Sequence, residues 1–403
     1  MKIPSSQPND PTVRSSKKRV LITYGWNRMS YIINKSLHNQ GYQTFVVSTA
    51  WMTINRLSRY TYKNLIISSF GKNPDRYIDH IIAISKTNDI SIWIPSHEES
   101  FVASAYKTRL NDNGIKILCP SLSILKVAHK KNSSGAIAES IGVPTPRSCF
   151  PLTHEEAVDF FNAIPKPVVL KLTQSNGASG VFYLNSSDEL APFLGSIGHW
   201  ILQEYVDGIG YGVSCLFSES GQLIAQFTHE RLAEKLVSGG TSIYRQSAKL
   251  PLIEEHAIRL LRHLQWQGVA MVEFKVNPDT GQVWFIEINP RFWGSLALPY
   301  YSGVDFPYLL CQLIEGKTPS PVLEYRVGVK VGWILGACIR LVIAGLNRKS
   351  RFNPFTMRCD FYDDFSWEDP FALLGEGLYY LKKMITLGRV NPDEPVFFNI
   401  DVL

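Results

Sequence analysis

The sequence predicts a mixed α/β and α+β protein: a parallel, helix-covered sheet first, then an antiparallel region, then a helical C-terminal stretch. Three observations carry this. Up to about residue 118, short apolar runs alternate with polar helical stretches, the pattern of parallel strands joined by crossover helices. From residue 200, β-rich runs are joined by short turns, most clearly 269–275 and 283–289 about Asn277-Pro-Asp-Thr-Gly281, which is how hairpins read. Beyond Pro319 the pattern turns helical and aromatic.

Residues 1–18 are polar and proline-containing, without the apolar centre of a signal peptide, so a disordered tail and a cytoplasmic location are expected. The α/β unit follows at 19–124, with strands at 20–24, 44–48, 65–67, 90–94 and 115–118 and helices at 30–39, 75–87 and 98–110. Ligands on such sheets bind at the carboxyl ends of strands. Two loops lie there: Tyr24-Gly-Trp-Asn-Arg28, which is not a dinucleotide fingerprint, and Pro95-Ser-His-Glu98-Glu99. The acid pair Glu98 and Glu99 reads either as a substrate site or as helix-start charge favoured by the dipole.

Prolines in Ile141-Gly-Val-Pro-Thr-Pro146 mark a lobe boundary. A small unit at 125–200 contains strands 167–172 and 180–184, and an antiparallel unit at 201–318 contains the hairpin 212–217/223–228. Residues 319–403 form the C-terminal helical extension. Within it, the apolar segment 327–346 is interrupted by Lys330 and Arg340, leaving fewer than the roughly 20 apolar residues a span needs. It reads as a packed helix, with no transmembrane span and no peripheral membrane contact expected.

The chain has 403 residues, 45% hydrophobic and 19% charged, with a net charge of +6. This is an ordinary folded composition, and the modest charge suits anionic nucleotides without marking a nucleic-acid partner. Six cysteines lie scattered without a CxxC pair, which argues against a disulfide framework or metal cluster and fits reduced thiols.

The chemistry concentrates on the hairpin. Alternation along 283–289 puts Glu287 and Asn289 on one face. Symmetric pairing about the turn sets residue 273 opposite 285, which brings Glu273 to the same face. Two carboxylates and an amide oxygen are hard ligands for Mg2+, or for Mn2+ in its place, bound to nucleotide phosphates. Arg291 follows with a planar fork suited to phosphate. Lys171 lies in the apolar strand Val168-Val-Leu-Lys-Leu, where an ammonium needs an anionic partner or an exit to solvent. The next loop, Thr173-Gln-Ser-Asn-Gly-Ala-Ser-Gly180, lets backbone N–H groups approach phosphate closely.

The acid followed by Glu287-Ile-Asn289-Pro-Arg291 resembles the metal-binding signature of the ATP-grasp superfamily. Phe292-Trp-Gly-Ser295 is similar to its carboxylate–amine ligase and carbamoyl-phosphate-synthetase-like branch. The resemblance implies an ATP-grasp fold, with a pre-ATP-grasp domain at 19–124, a lid-like small subdomain at 125–200 and a catalytic subdomain at 201–318. It implies ATP and Mg2+ as cofactors, with Glu273, Glu287 and Asn289 on the metal. Lys131 and Lys171 would meet the phosphates. Lys130 stands where the family usually has Asp, so it stays open beside Lys131. Ser175, Gly177, Ser179 and Gly180 would cover the phosphates, and Gln203, Glu204, Tyr205 and Val206 would cradle adenine. The usual ribose acid is missing at 208–210, leaving Asp207 as a substitute. Arg291, Arg231 and Lys171 would act in catalysis, and Glu98, Glu99, Arg231, Gly239 and Gly240 would face the acceptor. His229 reads as a base or as a structural residue.

The reaction so implied joins a small-molecule carboxylate to an amine through an acyl phosphate, releasing ADP and phosphate and requiring no covalent nucleophile. A homodimer is compatible with the resemblance. Activation of an enol in natural-product synthesis and a non-catalytic ATP-binding protein are the alternatives.

Overall fold

The computed structural model describes residues 18–174, 180–196, 198–236, 239–347 and 357–388, and Leu403. Its first sheet holds β1 (Arg19–Ile22), β2 (Gln43–Ser48), β3 (Lys63–Ile66) and β4 (Ile92–Ile94). They run parallel in the order β3-β2-β1-β4. The crossover helices include Arg28–Asn39 and Pro74–Thr87, and the helix expected at 98–110 is two shorter ones, Glu99–Ala105 and Lys107–Asp112. The strand expected at 115–118 is reduced to a single parallel bridge between Ile92 and Lys116. The run is drawn away because Leu118 crosses to the large sheet. A Cβ on Gly268, at φ +74°, would lie 2.6 Å from the Leu118 carbonyl oxygen.

The second sheet comprises β5 (Ser148–Cys149), β6 (Val168–Leu172), β7 (Val181–Leu184) and β8 (Trp200–Glu204), antiparallel in the order β5-β8-β6-β7. It has its own apolar core, in which Phe161 of the helix His154–Ala163 packs with Val168, Leu170 and Leu202. The boundary expected at residue 200 falls inside β8, because that strand pairs with β6 over Trp200–Glu204.

The third sheet has seven strands. β9 (Ile209–Phe217), β10 (Leu223–Leu236), β11 (Gly239–Ala248), β12 (Gly268–Val276) and β13 (Val283–Asn289) are joined by β14 (Lys330–Gly332) and β15 (Phe361–Tyr362), in the order β13-β12-β9-β10-β11-β14-β15. The C-terminal segment is therefore not purely helical. An unpaired β11 edge would expose a row of backbone donors and acceptors, and β14 covers it at Tyr244, Arg245 and Gln246. The first and third sheets share apolar cores, with Leu21, Phe45 and Trp93 joined to Phe217, Phe274 and Phe285.

The hairpin register departs from the symmetric expectation. Phe274 pairs with Phe285, whereas Glu273 pairs with Glu287, so Ile286 is an extra residue in β13. The bulge reconciles two demands that strict alternation cannot meet. It keeps Phe285 in the core beside Phe274, 1–2% exposed, while turning Glu287 to the face of Glu273.

A buried polar clamp ties the C-terminal segment to both other parts. Asp363, 1% exposed, accepts from Arg28 Nε at 3.2 Å and pairs with Arg245, itself fully buried. The Arg28 guanidinium also lies 3.7 Å from the Trp333 ring centroid. Asp364 accepts the Ile334 and Leu335 N–H groups at 3.1 and 2.9 Å, capping the helix Ile334–Asn347. No described helix is long and apolar enough to cross a membrane. Replacing Asp363 by alanine strands two buried guanidinium groups and should lower folding stability by about 3–5 kcal/mol, read from urea unfolding. A loss below about 1 kcal/mol would show that water or neighbouring groups already satisfy Arg28 and Arg245.

Candidate active site

The hairpin face gathers the charges. Asn289 Nδ2 donates to Glu273 Oε1 at 2.9 Å, which points the amide oxygen away from that carboxylate. Arg231 of β10 pairs with Glu273, and its other nitrogen meets Glu234 at 3.0 Å. Lys131 Nζ lies 3.1 Å from Glu287 Oε2. Lys131 opens the helix Lys131–Ser140, and its backbone N–H donates to the Thr173 carbonyl at 3.1 Å, fixing it against the end of β6. Lys130 is the cap residue before that helix.

These surroundings separate the two carboxyls. Burial pushes Glu273 up against the pull of Arg231, and it titrates above the ordinary range. Burial also pushes Glu287 up, but Lys131, Lys171 and Arg231 outweigh it and hold that carboxyl low. The donor set of Glu273, Glu287 and the Asn289 amide oxygen fits a hard divalent cation.

Lys171 reaches Gln203 Oε1 at 2.6 Å, and Gln203 Nε2 donates to Ser148 Oγ at 2.9 Å. Desolvation, only partly offset by Glu287, brings the Lys171 pKa down to about 8. The next residues continue from the end of β8. Glu204 pairs with Arg147, the Tyr205 ring is 39% exposed with Lys275 Nζ 5.1 Å from its centroid, and Val206 O accepts from Lys275 Nζ at 2.9 Å. Asp207 is exposed beside them. Ser175, Gly177 and Ser179 lie outside the described residues. Gly180 is described, at φ +70°, with its N-terminal neighbour strand closed by Leu172 N–H donating to Gly180 O at 3.0 Å.

Arg291 donates to the Phe292 carbonyl at 2.9 Å and acts electrostatically on His97 and Glu99. Glu98 and Glu99, both 5% exposed, follow β4 and line a cavity. The hairpin end and the strand ends of the first sheet therefore adjoin. Gly240 sits in the β10–β11 hairpin, its carbonyl 3.5 Å from Arg231 Nη1, and Gly239 pairs with Leu236 there. His229 is a buried wedge, 1% exposed. A Cβ on Gly212 would lie 2.3 Å from its Cε1, and burial followed by Arg231 and Arg245 holds it neutral. That supports the structural reading of His229.

Sequence reasoning passed over several participants. Lys275 was legible, since it shares the β12 face of Glu273 by alternation. Arg147 and Ser148 are positioned by β5–β8 pairing, which local pattern does not reveal. His129 ends the helix Leu122–His129. Burial, then Lys131 and Arg291, lower its pKa to about 3.

Comparison with known proteins agrees with this architecture. Residues 127–295 match the model of the ATP-grasp domain. That segment of the chain carries the match to the ATP-grasp domain. Among curated relatives, it is similar to the carbamoyl phosphate synthase large chain of Pyrococcus furiosus, 22% identical over 313 residues, covering 73% of this chain and 29% of that one. It is also similar to acetyl-CoA carboxylase 1 of Oryza sativa subsp. japonica, 23% identical over 256 residues, covering 55% of this chain and 11% of that one. The chain thus spans 29% and 11% of the length of these relatives.

Solved structures share the fold. N5-carboxyaminoimidazole synthetase from Staphylococcus aureus, solved with ADP, superposes with a TM-score of 0.64 at 12% identity, covering 83% of this chain and 87% of that one. Biotin carboxylase from Campylobacter jejuni, solved with a β-γ-ATP ligand, gives 0.63 at 17% identity, covering 78% and 74%.

The lowered Lys171 pKa has a measurable consequence. Above about pH 8 the folded protein releases this proton while the unfolded chain still holds it. Stability must then rise with pH until the ordinary lysine range is reached. Lys171→Met should flatten that rise relative to the parent protein, measured by urea unfolding on either side of pH 8. Coincident pH dependences would show that Lys171 is charged in the folded state throughout.

Proposed function

We propose that the protein is an ATP- and Mg2+-dependent ligase that joins a carboxylate to an amine, releasing ADP and phosphate. The observation that carries this is one hairpin face presenting Glu273, Glu287 and Asn289, with Lys131, Lys171 and Arg231 brought to it from other elements. The curated similarity to carbamoyl phosphate synthase supports the same class of chemistry.

In this reading Glu273, Glu287 and Asn289 would hold Mg2+, which would supply charge neutralisation at the nucleotide phosphates. Lys131 and Lys171 turn from their protein partners toward the phosphate oxygens. The segment 203–206 takes the adenine edge, with Tyr205 available for stacking. A substrate carboxylate oxygen attacks the γ-phosphorus and ADP leaves with its bridging oxygen. The amine nitrogen then attacks the acyl carbonyl, the carbon–oxygen bond breaks, and phosphate departs as the nitrogen gives up its proton. Arg291 and Arg231 place positive charge where the transferring phosphoryl group and the tetrahedral intermediate develop negative charge. The protein orients reactants and stabilises charge without a covalent nucleophile.

ADP and phosphate release with Mg-ATP, screened against mixtures of carboxylic acids and amines, tests this directly. Release that needs both partners, with a product one water lighter than their sum, is expected. Phosphorylated product without ligation would replace the ligase reading by a kinase-like one. Glu287→Gln should lower turnover by about a hundredfold or more while keeping a cooperative unfolding transition. Unchanged turnover in that variant would remove Glu287 from the metal set.

A further inference from the structure

The parallel sheet ends in a cavity that the ATP-handling face does not account for. It has a volume of about 200 Å³ and lies beyond β1, β2 and β4, where Tyr24, Trp26, Ser48, His97, Glu98 and Glu99 line it. Its far wall comes from Tyr379, Tyr380 and Lys383 of the helix Phe371–Leu387. The C-terminal extension therefore closes a pocket that the parallel sheet opens.

A continuous row of rings joins the two. His97 stacks on Tyr24 at 4.3 Å and 5°, Tyr24 meets Trp26 at 4.6 Å, and Trp26 stacks on Tyr379 at 5.0 Å and 18°. Tyr24 holds φ +63°, a left-handed conformation that costs free energy for a bulky residue and is characteristic of functional sites. The neighbouring Gly25 fixes it. The Gly25 N–H donates to Val47 O at 2.9 Å, and a Cβ there would lie 2.6 Å from Val46 Cγ1. The chain is pressed onto β2, which presents the Tyr24 ring to the cavity.

The charge in the pocket is as specific as its shape. Glu98 and Glu99 are buried side by side, with Lys383 as the cation among the lining residues. Burial first, and the Glu98 charge after it, raise the Glu99 carboxyl to about 7 against the pull of backbone hydrogen bonds and Arg291. His97 Nδ1 is buried without a hydrogen-bond partner. An anion here would meet two carboxylates, whereas an ammonium would meet them together with ring faces that attract cations. Arg291 is close enough to act on both His97 and Glu99, so the acidic end of the cavity faces the phosphate-handling side.

We infer that this cavity binds the amine substrate, and that it selects an ammonium group carried on a flat apolar body, the nitrogen at Glu98 and Glu99 and the body continuing the ring stack of Trp26 and Tyr379. The inference rests on the ligase reading for the amine's role, but the ammonium preference stands by itself. Helix Phe371–Leu387 is then a wall of the acceptor pocket and a specificity element.

Calorimetry on the full chain with 2-phenylethylamine, 2-phenylethanol and 3-phenylpropanoate tests it, with Mg-ADP titrated in parallel. The amine should bind at least roughly tenfold more tightly than the alcohol or the carboxylate. Glu98→Gln and Trp26→Leu should each weaken amine binding by roughly fivefold or more, with Mg-ADP affinity changed by less than about twofold. Equal or tighter binding of the alcohol or carboxylate, or Mg-ADP binding without amine binding, would overturn the pocket assignment. The comparison among the three compounds uses the parent protein, so it decides even if a variant does not fold. Amine preference without any Mg-ADP binding would leave the pocket standing and overturn the ligase reading instead.

Discussion

Two carboxylates on one face of a largely buried hairpin set the terms for everything around them. Charges taken out of water must be paired or they destabilise the fold severely. Glu273 and Glu287 are cross-strand neighbours whose negative charges repel each other. The protein answers with cations drawn from separate parts of the chain: Arg231 from β10, Lys131 from the helix that follows the first domain, and Lys171 from the small sheet. The charge requirement thus gathers three parts of the fold around one hairpin. In the proposed ligase the same cations would meet the nucleotide phosphates, so the electrostatics that hold the site together would also suit an anionic ligand.

The bulge at Ile286 is the backbone side of that constraint. In a regular ladder Phe285 and Glu287 would face the same way, and either a phenyl ring would leave the core or a carboxylate would enter it. One extra residue lets β13 serve both faces. Phe285 closes the apolar layer with Phe274, and its N–H donates to Pro144 O at 2.7 Å, which also anchors the proline-marked lobe boundary to the hairpin.

The C-terminal segment is integral to the fold. It extends the large sheet by two strands, supplies the Asp363 carboxylate between Arg28 and Arg245, and lays a helix over the strand ends of the first sheet. Arg28 begins the helix directly after the Tyr24–Trp26 loop. The clamp on Arg28 and the ring stack on Trp26 therefore hold the same short stretch from two sides, and the geometry of the cavity depends on both.

The sequence by itself determined what depends on short-range periodicity and residue chemistry. The parallel first sheet, the β12–β13 hairpin, the shared face of Glu287 and Asn289, and Lys171 as a charge within an apolar strand were all legible, because alternation and the cost of burying charge are local properties. The bulge was not, since it answers to the core layer beneath the hairpin. Nor were the pairing of Arg231 with Glu273, the joining of Trp26 to Tyr379, or the conversion of 115–118 from strand to bridge. Each of these contacts closes a long loop of chain, from about 40 residues between Arg231 and Glu273 to several hundred between Trp26 and Tyr379. Only the packed tertiary structure decides which distant side chains meet there, because many partners satisfy the same local pattern and just one arrangement satisfies burial, charge and backbone hydrogen bonding together.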